Sequence, residues 1–550
     1  MRSLVVSSMQ HYWRMHLGIL AGAILASAVL TGALLVGDSV DGSLRAFAVM
    51  RLGGIEHVSS TRTQFFDQAL AETLDSELEA KATSVLHLRG MAINQGRSTG
   101  TERVQVNQVE VLGVTTDFWS YTDGVDLDLA PNEVAINEKL AAALGVQEGD
   151  EISIRVAKPA LMSRDAPLSW SSDERSKRRT CIVKRVIADT ELGRFSLSPS
   201  QVSPYNAFVS RDWLQEQVEL EDKANLLLVG TGENAWDIQR ALRAVWKPEY
   251  IGVKLRVYEN ELVQLESERI YLDPETARAA KKIEGAQPTL TYLVNSIALG
   301  DKATPYSFVV GGALADAMGD DETVINRWLA DEIGVGLGDS IEMDYAELQP
   351  DGSFIDRQRS FKVRSIREMN TLQGELDLMP IFPGLSDAES CSDWDVGMPM
   401  DEDLRNNERN EVYWQSYGQT PKSFITLAAA QDMWSNRFGD MTSVRFPGGE
   451  ETLQRVSDAL TRETSPSAAG FVALPVRDQA LQAVSEAMAF GGLFLGMSIF
   501  LIVAVLMLTG LLFAFLVQQR APEMGVLLAM GFEHKTVRRL WLAEGFVIAA

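Results

Sequence analysis

Cysteine, histidine and positive charge are all scarce in this 550-residue chain. With only Cys181 and Cys391 present, at most one disulfide can form, and thiols alone cannot build a metal framework. Nothing in the spacing of the two demands a bridge. The histidines, His11, His16, His57, His87 and His534, do not cluster. No H-E-x-x-H or H-x-E…C-x-x-C pattern occurs. A G-x-S-x-G nucleophile elbow is also missing, and so is the phosphate-cradling G-x-x-x-x-G-K-[ST] loop. These absences support no enzyme and suggest no cofactor or metal. Against 75 acidic residues stand 50 lysines and arginines, a net charge of −25. A nucleic-acid binder needs a basic surface to displace counterions, so that class is excluded. The charge fits a large, well-solvated domain.

Long apolar runs are confined to the two ends. Overall, 46% hydrophobic and 23% charged residues is a globular composition. Yet Leu17–Val36 and Ala487–Val517 contain no charged side chain. A hydrocarbon core ~30 Å thick needs about 20 apolar residues in a helix, so each run is long enough to span it. A secretory signal has an apolar region of only about 7–15 residues, which favours an uncleaved first span. Arg2, His11, Arg14 and His16 precede that span, while Arg520, Lys535, Arg538 and Arg539 follow the second. The positive-inside rule puts both flanks in the cytoplasm and the long intervening segment outside.

The flanks of the spans extend them. Val40, Leu44, Phe47 and Arg51 recur at helical spacing beyond the first. Pro475 suits a first helical turn before the second, with Leu481, Val484 and Met488 along one face. At ~1.5 Å per residue the run from Ala487 covers on the order of 45 Å, more than the hydrocarbon. Tilt could absorb the excess; the preferred reading is a stalk of two protruding, packed helices.

The external segment reads as a duplication. Asn132–Ile152 recurs as Asp321–Ile341, with Ile136/Ile325, Asn137/Asn326, Leu140/Leu329, Gly145/Gly334, Gly149/Gly338 and Asp150/Asp339 at one constant offset. A strand should end at Asn137, whose side chain caps the next helix. Gly145 should end that helix, Gly149-Asp150 should turn, and Ile152, Ile154 and Val156 should begin a strand. Further blocks also repeat in order: Asn206–Ser210, Asn225–Val229 and Ala235–Val245, then Lys422–Thr426, Ser443–Phe446 and Glu451–Leu460. The fold class expected is α+β, with transmembrane helices and a large extracytoplasmic domain of two tandem lobes. Two long copies make a duplication rather than a solenoid.

The expected division is residues 1–54 (cytoplasmic start, first span and stalk), 55–261 and 262–475 (the lobes), 476–519 (stalk and second span), 520–539 (a cytoplasmic helix) and 540–550 (the start of a third span). The lobes differ in their loops. The first has the polar Ser163–Arg179. The second has Leu376–Glu411, with Asp387, Glu389, Asp393, Asp395, Asp401, Glu402 and Asp403. Long loops are often functional, so the second could be a partner- or cargo-contacting flap with a bound calcium. A solvated acidic loop is the simpler reading, and no D-x-D-x-D-G calcium loop is present.

After the second span come Arg520-Ala521-Pro522-Glu523-Met524-Gly525-Val526-Leu527-Leu528-Ala529-Met530-Gly531-Phe532, then Val537-Arg538-Arg539-Leu540 and Glu544-Gly545. This segment resembles the R-x-x-E-[IM]-G-x-L-x-A-x-G-[FA] stretch of FtsX/MacB/LolC-type ABC transporter permeases. Leu35–Val40 is similar to the start of the same proteins. The Ile-Asn…Leu-Ala…Leu-Gly-Val…Gly-Asp module resembles their MacB-like periplasmic core, which Asn137, Gly145, Gly149, Asp150, Asn326, Gly334, Gly338 and Asp339 would build here. Three departures stand out. MacB carries a nucleotide-binding domain that this chain lacks, the external region is about twice one core domain, and family members commonly have at least four spans. The run Leu540–Ala550 is therefore expected to continue in further spans. Glu544 would lie in or at the edge of the third, where an unpaired carboxylate is costly.

The resemblance implies a permease subunit in the bacterial cytoplasmic membrane, embedded in lipid and paired as a homo- or heterodimer. A separate P-loop ATPase would seat on a coupling helix formed by Pro522, Glu523, Gly525, Val526, Leu527, Met530, Gly531 and Phe532. The local physics agrees: Pro522 and Glu523 suit a first turn, and Gly531 suits a helix stop. The implied work is mechanotransmission, moving lipoprotein, lipid or peptide cargo outside the membrane. An FtsX-like scaffold controlling a cell-wall hydrolase is the alternative, and a membrane-tethered hydrolase or adhesin a third.

Overall fold

The computed structural model describes residues 2–61, 64–96, 103–159, 166–168, 176–198, 202–258, 261–314, 317–394, 396, 398–487 and 489–549. Most of the Ser163–Arg179 loop, Asp395, Met488 and the side chains of Arg2, Val40 and Glu544 lie outside the described residues. The chain forms two compact units. One comprises residues 1–51 and 477–550 with a short stretch at 198–201; the other comprises residues 52–197 and 202–476.

The first unit is helical. Helices α1 (Arg2–His11) and α2 (Trp13–Leu52) open it. Helices α14 (Val476–Ala487), α15 (Ala489–Gln519), α16 (Ala521–Ala529) and α17 (His534–Ala549) close the chain. At ~1.5 Å per residue α2 is about 60 Å long, and no proline interrupts it past Val36. Among the described residues, Ile499–Gln519 of α15 is long and apolar enough to cross a membrane, with a mean hydropathy of 2.9 and almost no burial. Gly22 of α2 lies against Leu512 of α15, where an added Cβ would stand 3.3 Å from the leucine side chain. Small residues allow this kind of close helix approach. Pro475 sits in a short strand just before α14 and not in its first turn, so proline here ends a strand.

The second unit holds two nine-stranded sheets and a small two-stranded one. The first half of the chain contributes β1 (Ile55–Ser60), β2 (Phe66–Asp67), α3 (Ala69–Glu77), β3 (Ala82–Asn94), β4 (Val104–Val114), β5 (Glu133–Asn137), α4 (Glu138–Leu144), β6 (Glu151–Ala157), β7 (Ser176–Ile187), β8 (Tyr205–Ser210), α5 (Arg211–Val218), β9 (Lys223–Ala224), β10 (Leu226–Gly230) and α6 (Ala235–Val245). Then follow β11 (Val253–Tyr258), β12 (Leu262–Ser267), α7 (Pro274–Lys281), β13 (Gln287–Leu299), β14 (Lys302–Gly311), β15 (Glu322–Asn326), α8 (Arg327–Ile333), β16 (Ser340–Leu348) and β17 (Phe354–Arg367). Helices α9 (Gln373–Asp377), α10 (Glu402–Arg405) and α11 (Glu408–Tyr417) precede β18 (Ser423–Ile425), α12 (Leu427–Trp434), β19 (Ser443–Pro447), α13 (Glu450–Glu463) and β20 (Leu474–Pro475).

The two sheets repeat one topology. The first runs β20-β1-β10-β3-β4-β8-β5-β7-β6, and the second β11-β12-β19-β13-β14-β18-β15-β17-β16. In each, one more pairing (β3 with β6, β13 with β16) closes six strands into a barrel-like ring. Parallel pairs fall at matching places, β4 with β8 and β5 with β7, then β14 with β18 and β15 with β17. The protein is thus α+β with two barrel-like lobes. The edge strands differ in origin: β11, before the expected boundary at 261/262, joins the second sheet, and β20 returns to pair with β1 of the first.

The cores follow from strand alternation. Ile152, Ile154 and Val156 of β6 are buried, while Glu151, Arg155 and Ala157 face solvent, the period-2 pattern of a half-buried strand, broken only by the buried Ser153. One apolar cluster joins the lobes, combining Leu70 and Leu74 of α3, Leu242 of α6, Ala277 of α7 and Leu460 of α13. Arg243 of α6 donates to the carbonyls of Thr461 (3.2 Å) and Arg462 (2.7 Å) at the end of α13, and to that of Thr464. A cation is favoured at this negative end of a helix. The Trp246 indole N–H completes the join at Thr464 Oγ1, 3.1 Å away.

Leu376–Glu411 is neither a flap nor a solvated loop. Leu378, Met379, Phe382, Leu385, Cys391, Trp394, Val396 and Met398 are all buried, and all but Leu378 belong to the core of the second lobe. The acidic residues set this segment's surface character, but the apolar residues between them set its fold. Both cysteines are buried and unbridged.

Candidate functional site

Arg520 alone separates α15 from α16, and it is buried. Its Nε donates to Glu523 Oε2 at 2.8 Å and its Nη2 to Ser8 Oγ of α1 at 2.5 Å. The guanidinium also lies over the Tyr12 ring (4.4 Å) and the Trp541 ring (5.1 Å). A planar cation of this kind can serve carboxylate, hydroxyl and aromatic faces together. Arg520 therefore ties α1, α16 and α17 at one point. Among the described residues, Glu523 is the carboxylate that pairs with it, in the first turn of α16.

The end of α16 is set by glycine. Gly531 has φ +91°; its N–H donates to Leu528 O, and the Phe532 N–H donates back to Leu527 O. These two bonds form a Schellman cap, which needs a left-handed residue at that place. The helix has two dissimilar sides. Pro522, Gly525, Val526, Ala529 and Met530 are exposed, as are Gly531 and Phe532 beyond it. Val526 is 58% and Met530 63% exposed, an apolar strip of adjoining side chains. Glu523, Met524, Leu527 and Leu528 are half-buried against the neighbouring helices. Leu527 thus faces the packed side more than the open one.

The eight residues of the internal repeat form two matching turns, one in each lobe. Asn137 Oδ1 accepts from Leu140 N at 3.0 Å, and Asn326 Oδ1 from Leu329 N at 2.8 Å. Gly145 and Gly334 close the two helices at φ +65° and +72°. Gly149 and Gly338 follow with φ +92° and +88°. Asp150 Oδ2 accepts from Gln147 N, and Asp339 Oδ2 from Gly336 N, both at 2.8 Å. Their geometry stabilises a turn between α4 and β6 or between α8 and β16.

A third cluster surrounds Lys422, which sequence reasoning passed over. Its Nζ donates to Asn410 Oδ1 (2.8 Å) and Thr304 Oγ1 (3.0 Å), and lies over the rings of Tyr413 (4.7 Å) and Trp328 (4.8 Å). Burial, opposed by Cys391 and Glu332 nearby, pushes this ammonium down to about 7. A lysine just before a strand gives no sign in sequence of a cage assembled from three separate elements, β14, α8 and α11. Arg520 was visible as the first residue of the motif, but its burial depends on α1, more than 500 residues away.

No family model matches the sequence, and no curated protein matches it. Among solved structures, the periplasmic region of MacB from Actinobacillus actinomycetemcomitans aligns at 10% identity, over 36% of this chain and 86% of that one, with a TM-score of 0.23. The extracellular domain of the noncanonic ABC-type transporter YknZ from Gram-positive bacteria aligns at 10% identity, over 34% of this chain and 92% of that one, with a TM-score of 0.20.

Proposed function

We propose that the chain is the membrane subunit of an ABC transporter, working with a separate ATPase. The observation that carries this reading is α16. It follows directly on the apolar α15, is fixed at its start by Arg520–Glu523 and at its end by the Gly531 cap, and leaves Val526, Met530 and Phe532 exposed. An apolar strip on a rigidly held short helix suits docking into a groove of a partner. The same residues carry the resemblance to the coupling segment of FtsX/MacB/LolC-type permeases. In this reading α2 and α15 cross a bacterial cytoplasmic membrane, and residues 55–475 lie outside. ATP binding by the partner shifts α16, and the long helices carry that shift to lobes that move lipoprotein, lipid or peptide cargo. Val526→Asp combined with Met530→Asp places charge on the open face while sparing Met524 and Leu528. The double variant should insert normally and lose at least tenfold of the ATPase stimulation measured in a reconstituted complex; undiminished stimulation refutes the coupling role.

A further inference from the structure

The other side of α16 borders a groove of about 450 Å³, lined by Phe513, Val517, Met524, Leu528, Trp541 and Leu542. Its walls are the last turns of α15, the packed side of α16 and the start of α17. Apart from these apolar side chains it is bordered by Val537 and by three basic groups of α17, His534, Lys535 and Arg538. Among the described residues, no carboxylate lies within ion-pair distance of Lys535 or Arg538. An apolar slot with unneutralised cations at its edge matches an amphiphile with hydrocarbon at one end and negative charge at the other. It is also continuous with α15, whose apolar surface runs from Ile499 to Gln519.

We propose that this groove binds an anionic phospholipid, with an acyl chain against Met524, Leu528 and Trp541 and the headgroup phosphate on Lys535 and Arg538. The proposal rests on α15 being a membrane span. The bound lipid would wedge between α16 and the helices on either side, and so set how firmly the docking helix is seated. Met524 and Leu528 are four residues apart on one side of α16, while Val526 and the capping residue Met530 repeat that spacing on the other. One short helix thus offers separate strips to lipid and to protein.

The test is native mass spectrometry of the full chain, extracted from membranes and exchanged into micelles containing phosphatidylglycerol or phosphatidylcholine. The wild type should retain phosphatidylglycerol at least fivefold over phosphatidylcholine. Lys535→Gln with Arg538→Gln should bring the two to parity, and Leu528→Trp, which fills the slot, should lower retention of both. Equal retention of the two lipids by the wild type overturns the proposal, as does an unchanged preference in the double variant. A dimer broken by Leu528→Trp without loss of lipid would assign the groove to a second copy instead. Recovery of the wild type in the soluble fraction would refute the membrane reading itself, a result distinct from loss of lipid preference.

Discussion

In the first lobe, the ring of strands is closed over by its own short loops. After β4, a 3-10 turn at Thr116–Tyr121 buries Phe118, Trp119 and Tyr121, and Phe118 meets Phe195 edge-on at 5.6 Å. The side-chain amide groups of Asn137 and Asn206 donate there to backbone: both to Gly193 O, and Asn206 also to Phe195 O. In the second lobe the corresponding places are taken by the insert. Phe382 stacks on Phe308 of β14 at 5.3 Å. Asn326 donates to the Tyr413 hydroxyl at 2.9 Å, and Lys422, at the repeat position of Asn206, donates to Asn410. One strand order therefore accepts two different plugs. A short turn with bulky aromatics serves one lobe, and some forty residues of inserted chain serve the other. The shared strands specify the ring, and each loop must then supply the apolar volume and hydrogen-bond partners that its ring lacks.

If the insert is structural, emptying its centre should damage the second lobe alone. Phe382→Ala removes a fully buried ring and should cost about 3–5 kcal/mol. Hydrogen exchange followed by mass spectrometry on the intact protein should show faster exchange in β13, β14 and α11, with the first sheet protected as before. Phe118→Ala should give the mirror image, with β4 and β8 exposed. Equal loosening of both lobes by either variant would mean that the shared cluster around α3, α6, α7 and α13 couples them into one cooperative unit.

The turns were readable from sequence because their signals are local. An asparagine cap, a leucine one turn on and a left-handed glycine lie within a dozen residues and need no distant partner. The plugs were not readable, because their partners are distant in the chain. Acidic composition predicted solvent for residues 376–411, yet Phe382, Trp394 and Met398 decided the outcome by finding an unfilled ring. The edge strand β20 escaped for another reason: a two-residue strand ending in Pro475 has no periodicity to detect, whereas β11 alternates Val253, Leu255 and Val257 and was open to the same reading as β6. Of the site residues, the order of α16 lay in its own sequence, whereas the cages around Arg520 and Lys422 are tertiary.

A smaller effect separates the lobes by pH. The buried Lys422 ammonium is held near 7, whereas an exposed lysine titrates near 10.5. Between those values the folded state binds fewer protons than the unfolded one, so this residue makes stability rise with pH. The rise is at most about 1.4 kcal/mol per pH unit, and the penalty is fullest below pH 7. Lys422→Met keeps the stem and removes the titration, so exchange protection of α11 should lose much of its increase between pH 7 and 9. In the first lobe Asn206 fills the equivalent place and does not titrate, so protection around it should be the same in wild type and variant. An unchanged pH profile at α11 would show that the ammonium is hydrated and the cage open.

The smallest difference is expected where the lobes are most alike. Gly145 and Gly334 both sit at positive φ, which costs an L-residue about 1–2 kcal/mol through contact of Cβ with its own carbonyl. An added Cβ meets nothing within 4 Å at Gly145, and at Gly334 it meets only the Lys302 ammonium, 3.2 Å away at the end of a flexible side chain. Conformation, not crowding, should therefore set the cost in both. Gly145→Ala and Gly334→Ala should each destabilise by about 1 kcal/mol, and calorimetry of the two variants should agree within a few tenths. A much larger loss for Gly334→Ala would mean that Lys302 cannot move aside, and that the insert had tightened this turn of the second lobe relative to its counterpart in the first.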